Sequence, residues 1–381
     1  VSFLKGSLSF VRFRTDLPRP RVFGELHLDA LRAHAAGKQR VAAADGVEVG
    51  WAAGESVLDV EFGESKNVWP DHFLFDFWTL SDKLPPDLLT AYYVADLRAI
   101  SRDNPSGFPS SRQKREAKES ARERLEQEAA DGRFKKRKCV PVAWDAARSE
   151  VLFGSTSAAA QLRFLKLFEE TFGGRLTPIT AGELAARINP RAADEALSLF
   201  VKGITPDDAA WVPAGADFLG NEFLLWLWYV ADCTGTDTLA LPDGSEVVFM
   251  FSGGVKVEDP RGQTGHGTMN SESAVRLPEA RAAVRAGKLP RKAALTLVRH
   301  DDQFSVILQA ETLAVTSGKV PNAPGDVNGR AREEHRLQAV RDLCETLDQV
   351  YAAFLGLRLS KAWELELAEV RAWLGSAKVG A

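Results

Sequence analysis

Residues 72–80 read HFLFDFWTL, and 111–130 read SRQKREAKESARERLEQEAA. In the first, Phe73, Phe75 and Phe77 alternate onto one face, the period of a strand half-buried in a sheet. In the second, the only apolar stripe is Ala117, Ala121 and Leu125, at helical spacing. Lys114, Lys118 and Arg122 form a basic row beside it. A stripe that narrow cannot anchor a helix inside a core, so the segment is expected as the outer arm of a projecting helical hairpin. Its partner begins at Pro85-Pro86, since proline is tolerated in a first helical turn, and carries Leu89, Tyr93, Leu97 and Ile100 on one face. The loop 104–109, NPSGFP, joins the two. Pairs Arg115–Glu119, Arg122–Glu126 and Arg124–Glu128 at i,i+4 support the outer arm by a few tenths of a kcal/mol each.

Working outward, Ser7–Arg14 and Val57–Phe62 read as strands, as do Cys139–Trp144 and Val151–Phe153. Ser157–Phe172 reads as an amphipathic helix with Leu162, Leu165, Phe168 and Phe172 inward, closed by Gly173-Gly174. The block Phe223–Tyr229 (FLLWLWY) is helix or strand by period. Gly244–Val257 is expected to be a hairpin, and so is Ala294–His300 with Phe304–Ala310. Asp259–Ser273 reads as a loop, and Arg332–Gly356 and a last stretch through Trp363, Leu367, Val370 and Leu374 as helices. The expected class is α+β, mostly antiparallel curved sheets flanked by helices. The expected organisation is an N-terminal α+β domain (1–83 plus 133–180), an inserted hairpin (84–132), a second α+β domain (181–330) and a C-terminal helical hairpin (331–381).

At 381 residues, 45% hydrophobic and 26% charged, the chain has the usage of an ordinary globular protein and is not a disordered one. Its longest apolar run is about half the ~20 residues of a membrane span. No secretory signal is legible, so no membrane association and a cytoplasmic location are expected. Cys139, Cys233 and Cys344 are too scattered for a disulfide framework or a zinc knuckle.

Net charge is −4, but it is segregated. Residues 112–138 carry a balance of +5 and residues 261–300 one of +6, leaving the remainder strongly acidic. Such segregation builds a positive surface on an acidic protein, although solvated helix faces give the same counts. Lys114, Lys118, Arg122 and the run Arg133-Phe134-Lys135-Lys136-Arg137-Lys138 suit phosphate contacts. So do Arg281, Arg285, Lys288, Arg291, Lys292 and Arg299. No base-reading module accompanies them.

Catalytic signatures are sparse. There is no GxxxxGK[ST] loop and no GxSxG elbow, and none of the six histidines stands in a zinc-binding spacing. Gly262, Gly265 and Gly267 lack a strand-to-helix context, and His300-Asp301-Asp302 reads as a hairpin turn. No enzyme activity, cofactor or metal is expected. A metal-dependent nuclease is the remaining enzymatic reading, and would need acidic clusters in a cleft.

The order of features resembles the bacterial recombination-associated RdgC family. The similarity rests on Phe3-Leu4-Lys5, Gly50-Trp51, Lys83-Leu84-Pro85 and the charged arm Lys114–Glu128. It continues through Trp144-Asp145, Ser157–Phe172 and Leu176-Thr177-Pro178-Ile179. In the second half it rests on Ala286-Gly287-Lys288, Ala294–Leu297 and Phe304–Leu308. The resemblance implies a non-catalytic homodimer, closed into a ring, that binds duplex DNA without sequence preference and restrains RecA-promoted recombination at the nucleoid. It implies that the hairpin cations and Arg133–Lys138 line or approach the hole, that Lys288, Arg291 and Lys292 belong to a second basic segment, and that Phe134 is a gate aromatic. Trp211–Leu241, Asp259–Asn270 and the chain beyond Pro321 exceed the family pattern. A protein-interaction scaffold without DNA binding, using Phe223–Tyr229 as an exposed aromatic patch, is the alternative.

Overall fold

Strand β1 (Leu8–Thr15) organises the first of two spatial units in the computed structural model. The structure describes residues 3–38, 46–82, 84–104, 107–189, 219–233, 238–258, 266–269, 278–325, 327 and 329–375. The first unit comprises 1–23, 68–74 and 141–381, and the second 24–67 and 75–140. The class is α+β, and the strand ladders among the described residues are antiparallel.

The second unit holds α1 (Glu25–Ala33), β2 (Val47–Ala52) and α2 (Glu64–Asn67). It also holds β3 (His72–Ser81) from Phe75 onward, α3 (Pro86–Asp103), α4 (Ser111–Ala129) and β4 (Lys136–Asp145) up to Val140. Alternation along β3 buries Phe75 and Phe77 as expected, and both pack on Trp51 of β2, at 5.1 and 6.0 Å between ring centroids. Gly50, just before that tryptophan, is required by close approach. A Cβ there would lie 2.7 Å from the Ala36 Cα, where Ala36 N–H donates to the Trp51 carbonyl. Residues 57–62 are not a strand: Asp59 folds them into a loop by accepting from the Glu55 and Glu61 N–H groups. Alternation of Leu58, Val60 and Phe62 with Asp59 and Glu61 imitates a strand, but Leu58 and Val60 face solvent.

In the first unit, β1 pairs β5 (Glu150–Phe153), β6 (Leu176–Pro178) and β12 (Val315–Lys319). The ladder continues through β11 (Asp302–Gln309), β10 (Leu289–Arg299) and β8 (Glu246–Glu258). Strands β7 (Thr238–Ala240) and β9 (His266–Met269) share the outer side of β8. Helices α5 (Ala158–Phe172), α6 (Ala181–Ile188), α7 (Leu219–Cys233), α8 (Pro278–Arg285), α9 (Gly329–Arg358) and α10 (Trp363–Gly375) complete it.

Three expectations change here. Helix α5 buries Phe164, Leu167 and Phe168, while Leu162 is exposed. The face is set by Phe164, whose ring stacks on Phe153 at 4.3 Å. Residues 244–257 are not a hairpin. The turn lies before them, at Leu241–Ser245, and β8 runs on through Gly253-Gly254, where the pairing with β10 shifts register instead of reversing. Gly267, within the expected 259–273 loop, belongs to β9; Gly262 and Gly265 lie outside the described residues.

The FLLWLWY block resolves to helix α7, with Leu219 through Val230 all buried. A helix apolar on every side must be enclosed, and α9 and α10 enclose it. Phe223 meets Tyr351 edge-on at 5.1 Å, and Trp228 meets Trp373 at 5.3 Å. The C-terminal helices therefore belong to the core of this unit. Among the described residues no helix is long and apolar enough to cross a membrane.

Candidate nucleic-acid interface

Helices α3 and α4 form the expected hairpin. Ser110 caps α4 by accepting from the Gln113 N–H at 3.3 Å, and Gln113 Oε1 accepts from the Ser110 N–H at 2.9 Å. Asn104 bonds Gln113 from the α3 side, closing the turn. Ala117, Ala121 and Leu125 are the buried positions of α4, and α3 contributes only half-buried side chains. Polar ties supply the rest. Tyr92 Oη donates to Glu128, and Arg124 lies over the Tyr92 ring and bonds Asp96 at 3.2 Å. Arg124 thus reaches across to α3 instead of along α4 to Glu128.

This packing leaves one side of α4 to water. Lys114 and Lys118 are exposed and have no carboxylate partner among the described residues. Arg122 is exposed and pairs Glu126 at 2.7 Å, as expected from spacing. Arg133 turns back onto Asp131 at 2.7 Å, which holds the Asp131 carboxyl low through that hydrogen bond. Such exposed pairs are worth little in water and can exchange a carboxylate for a phosphate. Phe134 is half-buried in the turn after Gly132, whose φ of 79° suits glycine.

The chain then enters β4, where Lys136, Arg137 and Lys138 are exposed, as is Lys135 before them. None of the four has an ion-pair partner among the described residues. Strand β4 lies beside β3 in the sheet, and Thr79 Oγ1 donates to the Lys138 carbonyl at 3.4 Å, so Lys136, Arg137 and Lys138 stand on paired strand, with Lys135 just before it. Beside them, burial raises the Asp76 carboxyl to about 6, against an opposing hydrogen bond from the Cys139 thiol. Burial and that carboxylate push the thiol to about 12.

The second basic stretch lies in the other unit and divides differently. Arg285 is exposed at the end of α8, and Lys288 and Lys292 are half-buried without an ion pair among the described residues. Arg291 and Arg299, expected as phosphate contacts, are engaged internally. Arg291 bridges Glu258 at 2.6 Å and Glu311 at 3.2 Å. Arg299 is 7% exposed, bonds Asp243 and the Ser245 hydroxyl, and lies 3.6 Å from Glu345. The reason is parity: Arg299 falls on the same face of β10 as buried Ala293, Leu295 and Leu297. Arg281 is likewise buried, against Asp232 and the Trp373 ring.

Four cations outside the expected set stand on the hairpin. Arg98 and Arg102, one turn apart on α3, are exposed toward its closed end together with Arg112 and Arg115 of α4. The i,i+4 spacing of Arg98 and Arg102 is a sequence signal, obscured by a charge count that began at Arg112.

Elsewhere, an open pocket of about 400 Å³ in the first unit is lined by Asp71, His72, Glu334, His335, Gln338 and Arg341. Asp145 at its margin is held well below the usual carboxylate range. Burial opposes this, but hydrogen bonds from His72 and Arg341 outweigh it. The same carboxylate accepts from the Ala147 N–H and so fixes the turn after β4. Among the described residues no group of three His, Cys, Asp or Glu side chains is placed to hold a metal ion.

No protein-family model matches the chain, and no curated protein matches it.

Proposed function

We propose that the protein binds duplex DNA without sequence preference and without catalysis. In this reading it acts as a ring-like homodimer at the nucleoid, in the cytoplasm, and restrains RecA-dependent recombination by occluding the duplex. The observation that carries the DNA reading is the set Lys114, Lys118, Lys135, Lys136, Arg137 and Lys138 in one unit, all exposed and without carboxylate partners among the described residues. Unpaired cations on rigid helix and strand offer phosphates a site that need not first be freed from an internal ion pair. Release of counterions from the duplex then supplies the affinity. Arg122 and Arg133 join by exchanging exposed partners, and Arg285, Lys288 and Lys292 are a separate set in the other unit. The ring, the RecA effect and the gate role of Phe134 rest on the ordered resemblance alone. The scaffold alternative loses its motivating surface, because Phe223–Tyr229 is enclosed.

The test is binding of random-sequence duplex at ~50 and ~200 mM salt, for the wild type and for Lys135, Lys136, Arg137 and Lys138 changed together to Ala. With six or more phosphates engaged, affinity falls on the order of 10³-fold across that range, and less steeply in the variant. Absence of binding at the lower salt overturns the reading.

A further inference from the structure

The loop between β2 and α2 is rigid and apolar at its surface. Besides accepting from Glu55 and Glu61, the Asp59 carboxylate takes Lys66 Nζ at 2.9 Å. The Asp59 N–H donates to Ser56 O, and Ala53 N–H donates to Asp59 O. Trp78 Nε1 ties the Val57 carbonyl to β3 at 3.0 Å. Held in this way, the loop turns Val57, Leu58 and Val60 outward, with Leu58 72% exposed. Exposed Glu55, Glu61 and Glu64 surround them, and the cation nearest in sequence, Lys66, is taken up by Asp59. An ordered loop that presents three aliphatic side chains inside an acidic rim fits a partner with an apolar knob and a basic rim.

The same chain carries that complement. At the closed end of the hairpin, Phe108 is 79% exposed, and its carbonyl accepts from Asn104 Nδ2 at 3.0 Å. Arg98, Arg102 and Arg115 are exposed and lack carboxylate partners among the described residues. Within one copy the two features do not cover each other, since Val57, Leu58, Val60 and Phe108 all remain open to solvent.

We infer that the 54–61 loop of one copy receives the Phe108 end of the hairpin of a second copy, and reciprocally. In a two-fold pair the contact forms twice, so both apolar features of both chains are covered at once. This deepens the homodimer of the reading above and rests on its self-association, but it needs no DNA.

Sedimentation velocity of the full chain without DNA, over a wide concentration range, tests it. The wild type is expected to show a monomer–dimer equilibrium that weakens with salt. Leu58→Asp and Phe108→Asp should each weaken the dimer on the order of tenfold or more. Both positions are solvent-exposed, and circular dichroism and the unfolding midpoint should stay at wild-type values. An equimolar mixture of the two variants should regain part of the association, because it can form one intact contact. A wild type that stays monomeric, variants that dimerise like the wild type, or a mixture that stays apart each overturns the inference. Duplex binding is measured separately on the same samples: variants that dimerise like the wild type remove this contact alone, a monomeric wild type that still binds also removes the homodimer of the reading above, and a dimer without binding removes the DNA reading alone.

Discussion

Arg358 on α9 and Glu222 on α7 meet Nε to Oε2 at 2.9 Å, with their side chains 2% and 0% exposed. The guanidinium also lies 5.5 Å from the centre of the Trp363 ring. Helix α7 thus carries a fully buried carboxylate, and α9 carries the cation that matches it. Breaking such a pair from one side leaves the other charge buried without compensation, a loss of about 3–5 kcal/mol. Glu222→Gln should lower the urea midpoint accordingly. The double variant Glu222→Gln/Arg358→Met should be less destabilised than the sum of its singles, because no lone charge remains. Additive losses would show that the two side chains are not energetically coupled.

Asp76 supplies a pH dependence of opposite sign to that of most carboxylates. Burial raises its folded value to about 6, so between the unfolded value near 4 and about 6 the folded chain binds more protons than the unfolded one. Stability from this group is fully present below pH 4 and falls as pH rises to 6. Asp76→Asn keeps an acceptor for the Cys139 thiol and removes the charge. It should raise unfolding free energy by about 1–3 kcal/mol at pH 7.5 and leave it nearly unchanged at pH 4. An equal effect at both pH values would mean that the charge is not responsible.

Asp348 titrates in the ordinary direction. Burial opposes ionisation, but Arg12 and Arg148 outweigh it and hold the carboxyl low. Its stabilisation is therefore complete above the unfolded value and is lost as pH falls through the folded one. Asp348→Asn should destabilise by a few kcal/mol at pH 7, since Arg12 is fully buried and keeps only Glu150. The difference from wild type should shrink below pH 4. Acid unfolding followed by fluorescence measures it.

The elements legible in the sequence are those whose environment is set locally. The stripe Ala117, Ala121 and Leu125 names a hairpin arm because α4 packs on one neighbour only. The β10–β11 turn is legible at His300-Asp301, both at positive φ, between two alternating runs. Helix α7 is not, because a helix enclosed on every side has no amphipathic period to read. Strand β8 is obscured by Gly253-Gly254, which suggests a turn but marks a register shift. Arg12 has no local signal at all: its partners Glu150 and Asp348 lie 138 and 336 positions away. For the candidate site, the exposed lysines of α4 and β4 were legible because charge runs favour solvent. The burial of Arg299 was written in the parity of Ala293, Leu295 and Leu297, which a charge count ignores.

Gly220 opens α7 against the loop after β11. A Cβ there would fall 1.9 Å from the Ala310 carbonyl oxygen, a backbone atom with no room to move aside. Gly220→Ala should therefore cost about 3 kcal/mol or more in thermal or urea unfolding, since overpacking a jammed contact displaces the whole helix. A loss below 1 kcal/mol would show that α7 shifts freely along the sheet.

Arg299 and Lys136 separate a cation engaged in the core from one that is exposed and has no ion pair among the described residues. Arg299→Ala removes a buried guanidinium and its bonds to Asp243 and Ser245 and opens the end of β10, so it should lower stability by about 1–3 kcal/mol. With the remaining folded protein, the salt slope of duplex binding should stay at the wild-type value. Lys136→Ala touches no ion pair among the described residues and should leave unfolding within about 0.5 kcal/mol of wild type, while reducing the salt slope by about 0.9. Both quantities come from parallel urea titrations and duplex titrations at several salt concentrations. A reduced slope in Arg299→Ala at unchanged stability would return that arginine to the interface, and an unchanged slope in Lys136→Ala would remove β4 from it.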